Sequence, residues 1–139
     1  MALANQERAN VIIGAIFADL LENWPKYTDL RVEKFLASDT GEYFDQDIEL
    51  FMALVQWLCD EGYLRYETAS TSGAFYMSVL SEKGLRTLNA IPLGIAGATT
   101  FGDKIIEASK EVSKDSAKKI IGDLVGQMIG GAIKSLSGN

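Results

Sequence analysis

Acidic side chains are the residues of this sequence that come closest to a catalytic or metal-binding pattern. Paired carboxylates can act as general acid and base, and clusters of them can bind Ca²⁺ or Mg²⁺. The candidates are Asp39, Glu42, Asp45 and Asp47, followed by the pair Asp60 and Glu61. Their spacing lacks the glycine and the distant glutamate of an EF-hand loop. The pairs Asp45/Asp47 and Asp60/Glu61 lie at the ends of a predicted helix, where solvated carboxylates are usual, so we predict no catalytic site. For the four residues from Asp39 to Asp47 we expect a solvated acidic loop and no metal site.

Other reactive groups are missing from the sequence. It contains no histidine, which excludes Ser-His-Asp and Cys-His nucleophilic sites. Cys59 is the only cysteine, so neither an intrachain disulfide nor a cysteine-based zinc cluster can form. No glycine-rich loop is followed by Lys-Ser or Lys-Thr, and Gly94 and Gly97 lack the strand and acidic partner of a dinucleotide site. The sequence therefore predicts a protein that is not an enzyme and holds no cofactor.

The single cysteine also indicates in which cellular compartment the protein is expected. Cys59 lies on the apolar side of a predicted helix, so we expect a buried structural thiol, with a reactive thiol as the alternative. A free thiol suits a reducing, cytoplasmic environment. Asp19 interrupts the apolar segment Val11–Leu21 and Glu22 follows it, so this segment differs from a signal peptide.

A helix, a β-hairpin and a further helix are predicted between Asp45 and Asn89, and this stretch organises the chain. Apolar residues recur at spacings of three and four from Ile48 to Cys59, which is typical of one helical face. Gly62 can end this helix, because glycine readily takes the left-handed conformation. Strands are predicted over Tyr63–Tyr66 and Phe75–Val79, a turn over Ser70–Gly73, and a helix over Glu82–Asn89 with Ser81 as its cap.

This order of elements resembles the winged-helix family. Many of its members carry Gly-Tyr-Leu at the end of the third helix and Leu-Thr-Glu-Lys-Gly after the wing. The matching residues here are Gly62, Tyr63 and Leu64, followed by Leu80, Ser81, Glu82, Lys83 and Gly84. The resemblance covers residues 5–91 and implies a mainly α fold with a small β-hairpin, of the α+β class. Winged helices serve either as DNA readers or as protein-docking modules.

The rest of the chain is predicted to be helical. A first helix over residues 6–24 ends at Pro25. Thr28 can cap a second helix that runs through Leu36, and a loop over Ser38–Phe44 follows. We predict a winged-helix-like domain over residues 1–91, a proline- and glycine-bearing linker over 92–99, and a helical tail over 100–139. Thr100 can cap the first helix of this tail.

The last helix carries a regular glycine pattern. Gly122, Gly126 and Gly130 recur every four residues, beside the apolar residues Leu124, Val125, Met128, Ile129 and Ile133. Each glycine inside a helix costs about 1 kcal/mol relative to alanine, so another surface must pack on this helix if it forms. A ridge of glycines lets another backbone approach closely, as in the small-xxx-small pairs of membrane helices. These residues are therefore the predicted interface.

Three explanations of this pattern remain open. The tail can pack on its own domain or on a copy of itself, lie on a membrane, or be disordered. Asp123 and Lys134 oppose insertion, and the apolar stretch of about 17 residues is shorter than the roughly 20 needed to span a bilayer. The density of apolar residues opposes disorder. We therefore expect packing or self-association, with a membrane-associated effector as an alternative.

The charge distribution opposes a DNA-reading role. Residues 1–90 hold seven basic and fourteen acidic side chains, and the whole chain has a net charge of −6. The predicted third helix carries no Lys or Arg, although phosphates and base edges are contacted largely by such residues. Arg31, Lys34 and Arg65 are the remaining candidates for nucleic acid, with surface ion pairs as their alternative role. We expect a protein partner or a second copy of the chain, and a dimeric DNA-binding regulator is the alternative.

Overall fold

The computed structural model describes residues 2–36, 45–91, 99–111 and 115–137. The helices are α1 Ala2–Asn23, α2 Val32–Phe35, α3 Asp45–Asp60, α4 Glu82–Asn89, α5 Phe101–Ser109 and α6 Asp115–Ser137. The strands are β1 Thr28–Arg31, β2 Leu64–Arg65, β3 Thr68–Ser70 and β4 Ala74–Leu80. They form a small antiparallel sheet, so the predicted α+β class is confirmed. The predicted loop over 38–44 and residues 92–98 of the predicted linker lie outside the described residues.

The chain divides into two compact units. One comprises residues 19–85, with the sheet, α2 and α3. The other comprises residues 1–18 together with 86–139. This division differs from the predicted boundary after residue 91, because most of α1 groups with the two tail helices. The first helix is therefore shared between the units, which sequence order alone does not indicate.

Strand β4 is the centre of the sheet. β1 pairs along one edge of β4, and β2 and β3 pair along the other. The register places Leu30 opposite Phe75 and Arg31 opposite Ala74. Leu30 is fully buried while Arg31 is exposed, as expected for residues that alternate between the two faces of a sheet.

The prediction of a helix from Thr28 to Leu36 is wrong in its first half. Thr28–Arg31 forms strand β1, and only Val32–Phe35 is helical. Pairing with β4 gives the backbone N–H and C=O groups of β1 their partners and buries Leu30 at the same time. This tertiary pairing outweighs the local apolar pattern, which by itself fits a short helix equally well.

Aromatic rings join α2, α3 and the sheet in the core of the 19–85 unit. Phe51 of α3 and Phe75 of β4 are both buried, and their ring centres lie 6.1 Å apart in an edge-to-face arrangement. Phe35 stacks on Phe51 at 5.8 Å, and Tyr66 meets Phe75 edge-on at 4.8 Å. Each such pair adds about 0.5–1.5 kcal/mol beyond the area it buries. These rings therefore fix α3 against the central strand.

The residues that carry the winged-helix resemblance meet at one corner between α3, β2 and α4. Gly62 follows α3 with a φ of +87°, the left-handed conformation that was predicted. The hydroxyl of Ser81 donates a hydrogen bond to the carbonyl oxygen of Gly62 and accepts one from the N–H of Gly84 at 3.0 Å. The Ser81 N–H donates to the carbonyl oxygen of Tyr63, also at 3.0 Å. The predicted capping of α4 by Ser81 is thereby confirmed.

Lys83 and Gly84 complete this corner. The ammonium of Lys83 donates to the carbonyl oxygen of Glu61 at 2.7 Å and lies 4.5 Å from the centre of the Tyr63 ring. A Cβ atom at Gly84 would overlap the carbonyl oxygen of Tyr63. These motif residues hold the end of α3, the start of β2 and the start of α4 together. Their arrangement therefore explains local geometry and points to no ligand.

We expect the substitution Gly84→Ala to destabilise the protein strongly. The added methyl group would meet a backbone oxygen that cannot move without displacing β2. The free energy of unfolding should therefore fall by about 3 kcal/mol, the upper end of typical overpacking costs. Urea unfolding followed by circular dichroism measures this change.

Lys83→Ala is the matched control for Gly84→Ala. It removes the exposed hydrogen bond to Glu61 and the cation–π contact with Tyr63, so the free energy of unfolding should fall by less than about 2 kcal/mol. If the free energy of unfolding fell equally in the two variants, this would contradict the conclusion that residue 84 must lack a side chain to fit against Tyr63.

Candidate interaction surfaces

Helix α6 has one face buried within its own chain. Ile121, Leu124, Val125 and Met128 are all buried, with Ile121 and Val125 fully inaccessible to solvent. Helix α5 lies against α6. The Thr100 hydroxyl accepts a 3.1 Å hydrogen bond in the first turn of α5, which confirms the predicted cap. Three of the predicted interface residues, Leu124, Val125 and Met128, therefore already have an intramolecular role.

The close approach to α6 is provided by a glycine of α1. A Cβ atom at Gly14 would overlap Cγ2 of Ile121 and would lie 3.3 Å from Cγ2 of Val125. Gly14 therefore lets α1 and α6 come together where any larger residue would hold them apart. Sequence reasoning missed this position, although a glycine inside the apolar part of α1 was a usable signal. A helical glycine costs about 1 kcal/mol unless packing requires it.

The glycines of α6 lie away from this contact. Among the described residues, nothing outside the helix comes within 4 Å of the position that a Cβ would take at Gly122. The nearest atom to the same position at Gly126 is Nδ2 of Asn10, at 4.0 Å. Lys119 and Asp123, on neighbouring turns, are exposed. The described part of the predicted glycine ridge, Gly122 and Gly126, therefore lies on a largely open face. We call this face, formed by Lys119, Gly122, Asp123 and Gly126, the α6 glycine face.

The C-terminal part of the predicted interface continues α6. Ile129 is half-buried, and Gly130 and Ile133 belong to the helix, but their surroundings lie outside the described residues. In the parts of the chain that the structure describes, no helix combines the length and apolar character that crossing a bilayer requires.

Two of the three predicted nucleic-acid contacts are engaged by acidic neighbours. Arg31 lies 3.6 Å from a carboxylate oxygen of Asp29, and its guanidinium carbon lies 5.3 Å from the centre of the Tyr76 ring. The ammonium of Lys34 lies 3.4 Å from a carboxylate oxygen of Asp19. Such partly exposed ion pairs contribute at most about 1 kcal/mol to stability. They nevertheless compete with a phosphate for both cations.

Arg65 lies apart from Arg31. Arg31 pairs with Ala74 and Arg65 pairs with Val79, on opposite edges of β4. Five residues along a strand span about 16 Å. The structure therefore does not gather these two arginines into a single phosphate-binding cluster.

A second candidate surface is an open groove on the 19–85 unit. It has a volume of about 450 Å³ and is lined by Tyr27, Arg65, Tyr66, Glu67 and Met77, which we call the Tyr27–Met77 groove. Tyr27 is 54% exposed and Met77 is 43% exposed, so two large side chains with apolar bodies face solvent. The hydroxyl of Tyr66 donates a 2.6 Å hydrogen bond to the side chain of Gln56, which fixes this ring. Sequence reasoning missed the groove because its residues come from three separate segments with no common periodicity.

Met77 has an unusual backbone conformation. Its φ is +56°, in the left-handed region, which costs a residue with a side chain about 1–2 kcal/mol. Between the pairs Thr28–Ser78 and Leu30–Phe75, β1 has one residue and β4 has two. Met77 is one of these two residues and therefore lies within a β-bulge. The N–H of Met77 donates a 3.1 Å hydrogen bond to the carboxylate of Asp29, which satisfies this group outside the regular ladder. Glycine would take this conformation without strain.

The acidic residues and the cysteine form no visible reactive centre. Among the described residues, no cluster of Cys, Asp and Glu is arranged to hold a metal ion, and Asp39 and Glu42 lie outside them. Asp45 and Asp47 occupy the first turn of α3, where their charge suits the helix dipole. Burial, and then the neighbouring charge of Asp60, raises the pKa of the Cys59 thiol. A raised pKa disfavours the nucleophilic thiolate. Cys59 is only partly buried, however, and not the fully buried thiol that its apolar helical context predicted.

No family model matches this chain, and neither does any curated protein or solved structure with which it was compared. The winged-helix resemblance therefore stays a prediction that depends on the residues named above.

We expect Gly14→Ala and Gly122→Ala to have opposite effects on stability. The first places a methyl group against the buried Ile121, and the free energy of unfolding should fall by about 1–3 kcal/mol. The second adds a methyl group in open space and improves helix propensity, so the free energy of unfolding should rise by up to about 1 kcal/mol. Thermal and urea unfolding at low protein concentration measure both. A loss of stability at Gly122 as large as that at Gly14 would contradict the packing described for α6.

Cys59 should react slowly with iodoacetamide at neutral pH while the protein is folded. A raised pKa lowers the fraction of thiolate, which is the attacking species, so the rate should keep rising as the pH increases beyond the usual thiol range. Mass spectrometry of timed samples gives the rate, and the same chain unfolded in urea is the control. Faster alkylation of the folded chain than of the unfolded chain at neutral pH would contradict this prediction.

Proposed function

We propose that this chain is a non-enzymatic protein-interaction module of winged-helix-like architecture that self-associates through the α6 glycine face. The carrying observation is that α6 uses one side for packing within the chain and leaves Gly122 and Gly126 open. A reducing, cytoplasmic environment suits the free Cys59 thiol of such a module.

Gly122 and Gly126 both lower the helix propensity of α6. Each costs the helix about 1 kcal/mol relative to alanine, and the intramolecular contact of α6 does not use either of them. Within the described chain only Nδ2 of Asn10, 4.0 Å from the Cβ position of Gly126, comes near either glycine, so this cost of about 2 kcal/mol is little compensated. A second backbone that approaches closely along Gly122 and Gly126 would provide one, since helices without side chains at their contact can pack most tightly.

The charge distribution favours a second copy of the chain as the partner. The unit that contains α6 has eight basic and six acidic side chains, whereas residues 19–85 have five basic and thirteen acidic ones. Two copies that meet through the nearly neutral unit avoid the repulsion between their acidic units. The α6 glycine face itself carries Lys119 and Asp123, and a surface with both signs can be complementary to itself across a two-fold axis.

The same charges argue against the DNA-binding alternative. α3 carries no Lys or Arg, Arg31 and Lys34 lie against Asp29 and Asp19, and a DNA duplex would approach a unit with a large excess of carboxylates. Affinity for DNA arises largely from neutralised phosphates, so this arrangement opposes binding. A gel shift of genomic fragments at low salt with the full-length chain should show no retardation.

We expect the full-length chain to form a dimer with a concentration-dependent mass. Light scattering coupled to size exclusion should give about twice the monomer mass of 15.1 kDa at high concentration. Replacing both glycines, Gly122→Ala with Gly126→Ala, should weaken association at least about tenfold, which corresponds to 1.4 kcal/mol. The reason is that two methyl groups would hold the paired helices apart.

Two measurements accompany this experiment. Ser116→Ala, at the exposed start of α6, is the control variant and should leave the mass distribution unchanged. The double glycine variant should be at least as stable as the original chain when both are monomeric, which separates loss of association from loss of folding. A monomer mass at all concentrations, or a dimer that the double variant does not affect, would overturn the proposal.

A further inference from the structure

We infer that the Tyr27–Met77 groove docks an extended, basic segment of a partner protein. The groove belongs to the 19–85 unit and shares no residue with the α6 glycine face, so this inference stands apart from the proposed self-association. It is drawn from the backbone conformation of Met77, from the composition of the lining and from the charge around it.

The backbone of Met77 has a strained conformation that favours glycine, although the residue carries a large side chain. Met77 holds a φ of +56°, which glycine would adopt more readily, and its side chain is 43% exposed. Burial within the chain therefore compensates little of this cost. Strained positions of this kind are retained where the side chain is used, and here its exposed part lines the groove. Methionine is also well suited to contacting partners of varied shape.

The second observation is the composition of the lining. Tyrosine, methionine and arginine are enriched in the buried centres of protein interfaces, and they supply four of the five lining residues. Tyr66 is already fixed by its hydrogen bond to Gln56 and by its edge-on contact with Phe75, so it loses little freedom when a partner binds. Tyr27, which is 54% exposed, lines the same groove.

The third observation identifies the occupant by its charge. Residues 19–85 carry thirteen acidic against five basic side chains, which attracts a positively charged segment and repels phosphates. Within the groove, Glu67 can pair with a Lys or Arg of the segment, and the ring of Tyr27 can hold a cation by a cation–π contact. Arg65 can donate hydrogen bonds to the carbonyl oxygens of an extended backbone. An apolar residue of the segment would lie against Met77.

The test uses two sets of labelled peptides of equal length. In one set apolar residues alternate with Lys, and in the matched set Glu replaces every Lys. Fluorescence anisotropy with the full-length chain at physiological salt should show binding of the Lys set, and the Glu set should bind at least about tenfold more weakly. Amide chemical-shift changes should be concentrated at residues 27, 65–67 and 77.

Two variants locate the binding site. Met77→Gly should lower the affinity for the Lys peptides at least about tenfold while the melting temperature stays the same or rises, because the strained residue is relieved. Glu67→Gln should lower the affinity and reduce its salt dependence. Ile91→Ala is the control, since Ile91 is 51% exposed and lies outside the groove, and it should leave binding unchanged.

Several outcomes would overturn the inference. These are no binding of either peptide set, equal binding of both, unchanged affinity in Met77→Gly, or tighter binding of a single-stranded oligonucleotide than of the Lys peptides. Light scattering on Met77→Gly separates this inference from the proposed function, because the mass distribution of that variant should equal that of the original chain.

Discussion

The contact between Gly14 of α1 and Ile121 of α6 determines which side of the last helix is buried within the chain. Because α1 has no side chain at this position, α6 packs with Ile121 and Val125 directed into the contact. A helix has only one circumference, so burying this side leaves Gly122 and Gly126 away from the contact. A glycine does allow two helices of this chain to approach closely, but it is Gly14 of α1 and not a glycine of the regular pattern in α6.

The two units of the chain differ strongly in charge. The unit formed by residues 1–18 and 86–139 is nearly balanced, whereas residues 19–85 have a large acidic excess. Long-range electrostatic forces affect which molecules approach more than how tightly they are held. A nearly neutral surface with both signs is compatible with self-pairing, and an acidic unit with exposed tyrosines is compatible with basic polypeptides.

The residues of the winged-helix resemblance illustrate why a motif can inform about fold and not about function. Gly62, Ser81, Lys83 and Gly84 are engaged in capping, hydrogen bonding and close packing at one corner. Physical requirements of that corner account for their types, since a left-handed turn needs glycine and a helix start needs a hydroxyl. The surfaces with unexplained features, at Met77 and along α6, lie outside the motif.

The sequence by itself determined the helices with strong periodicity, the capping residues Ser81 and Thr100, and the absence of histidine chemistry, because these depend on local spacing and composition. It failed for Thr28–Arg31, where pairing with a strand more than forty residues later outweighs the local pattern. Only the tertiary structure revealed the role of Gly14, the separation of Arg31 from Arg65, and the Tyr27–Met77 groove. Each of these joins residues that are distant in the chain, and contacts at such separations leave no periodic signal in a single sequence.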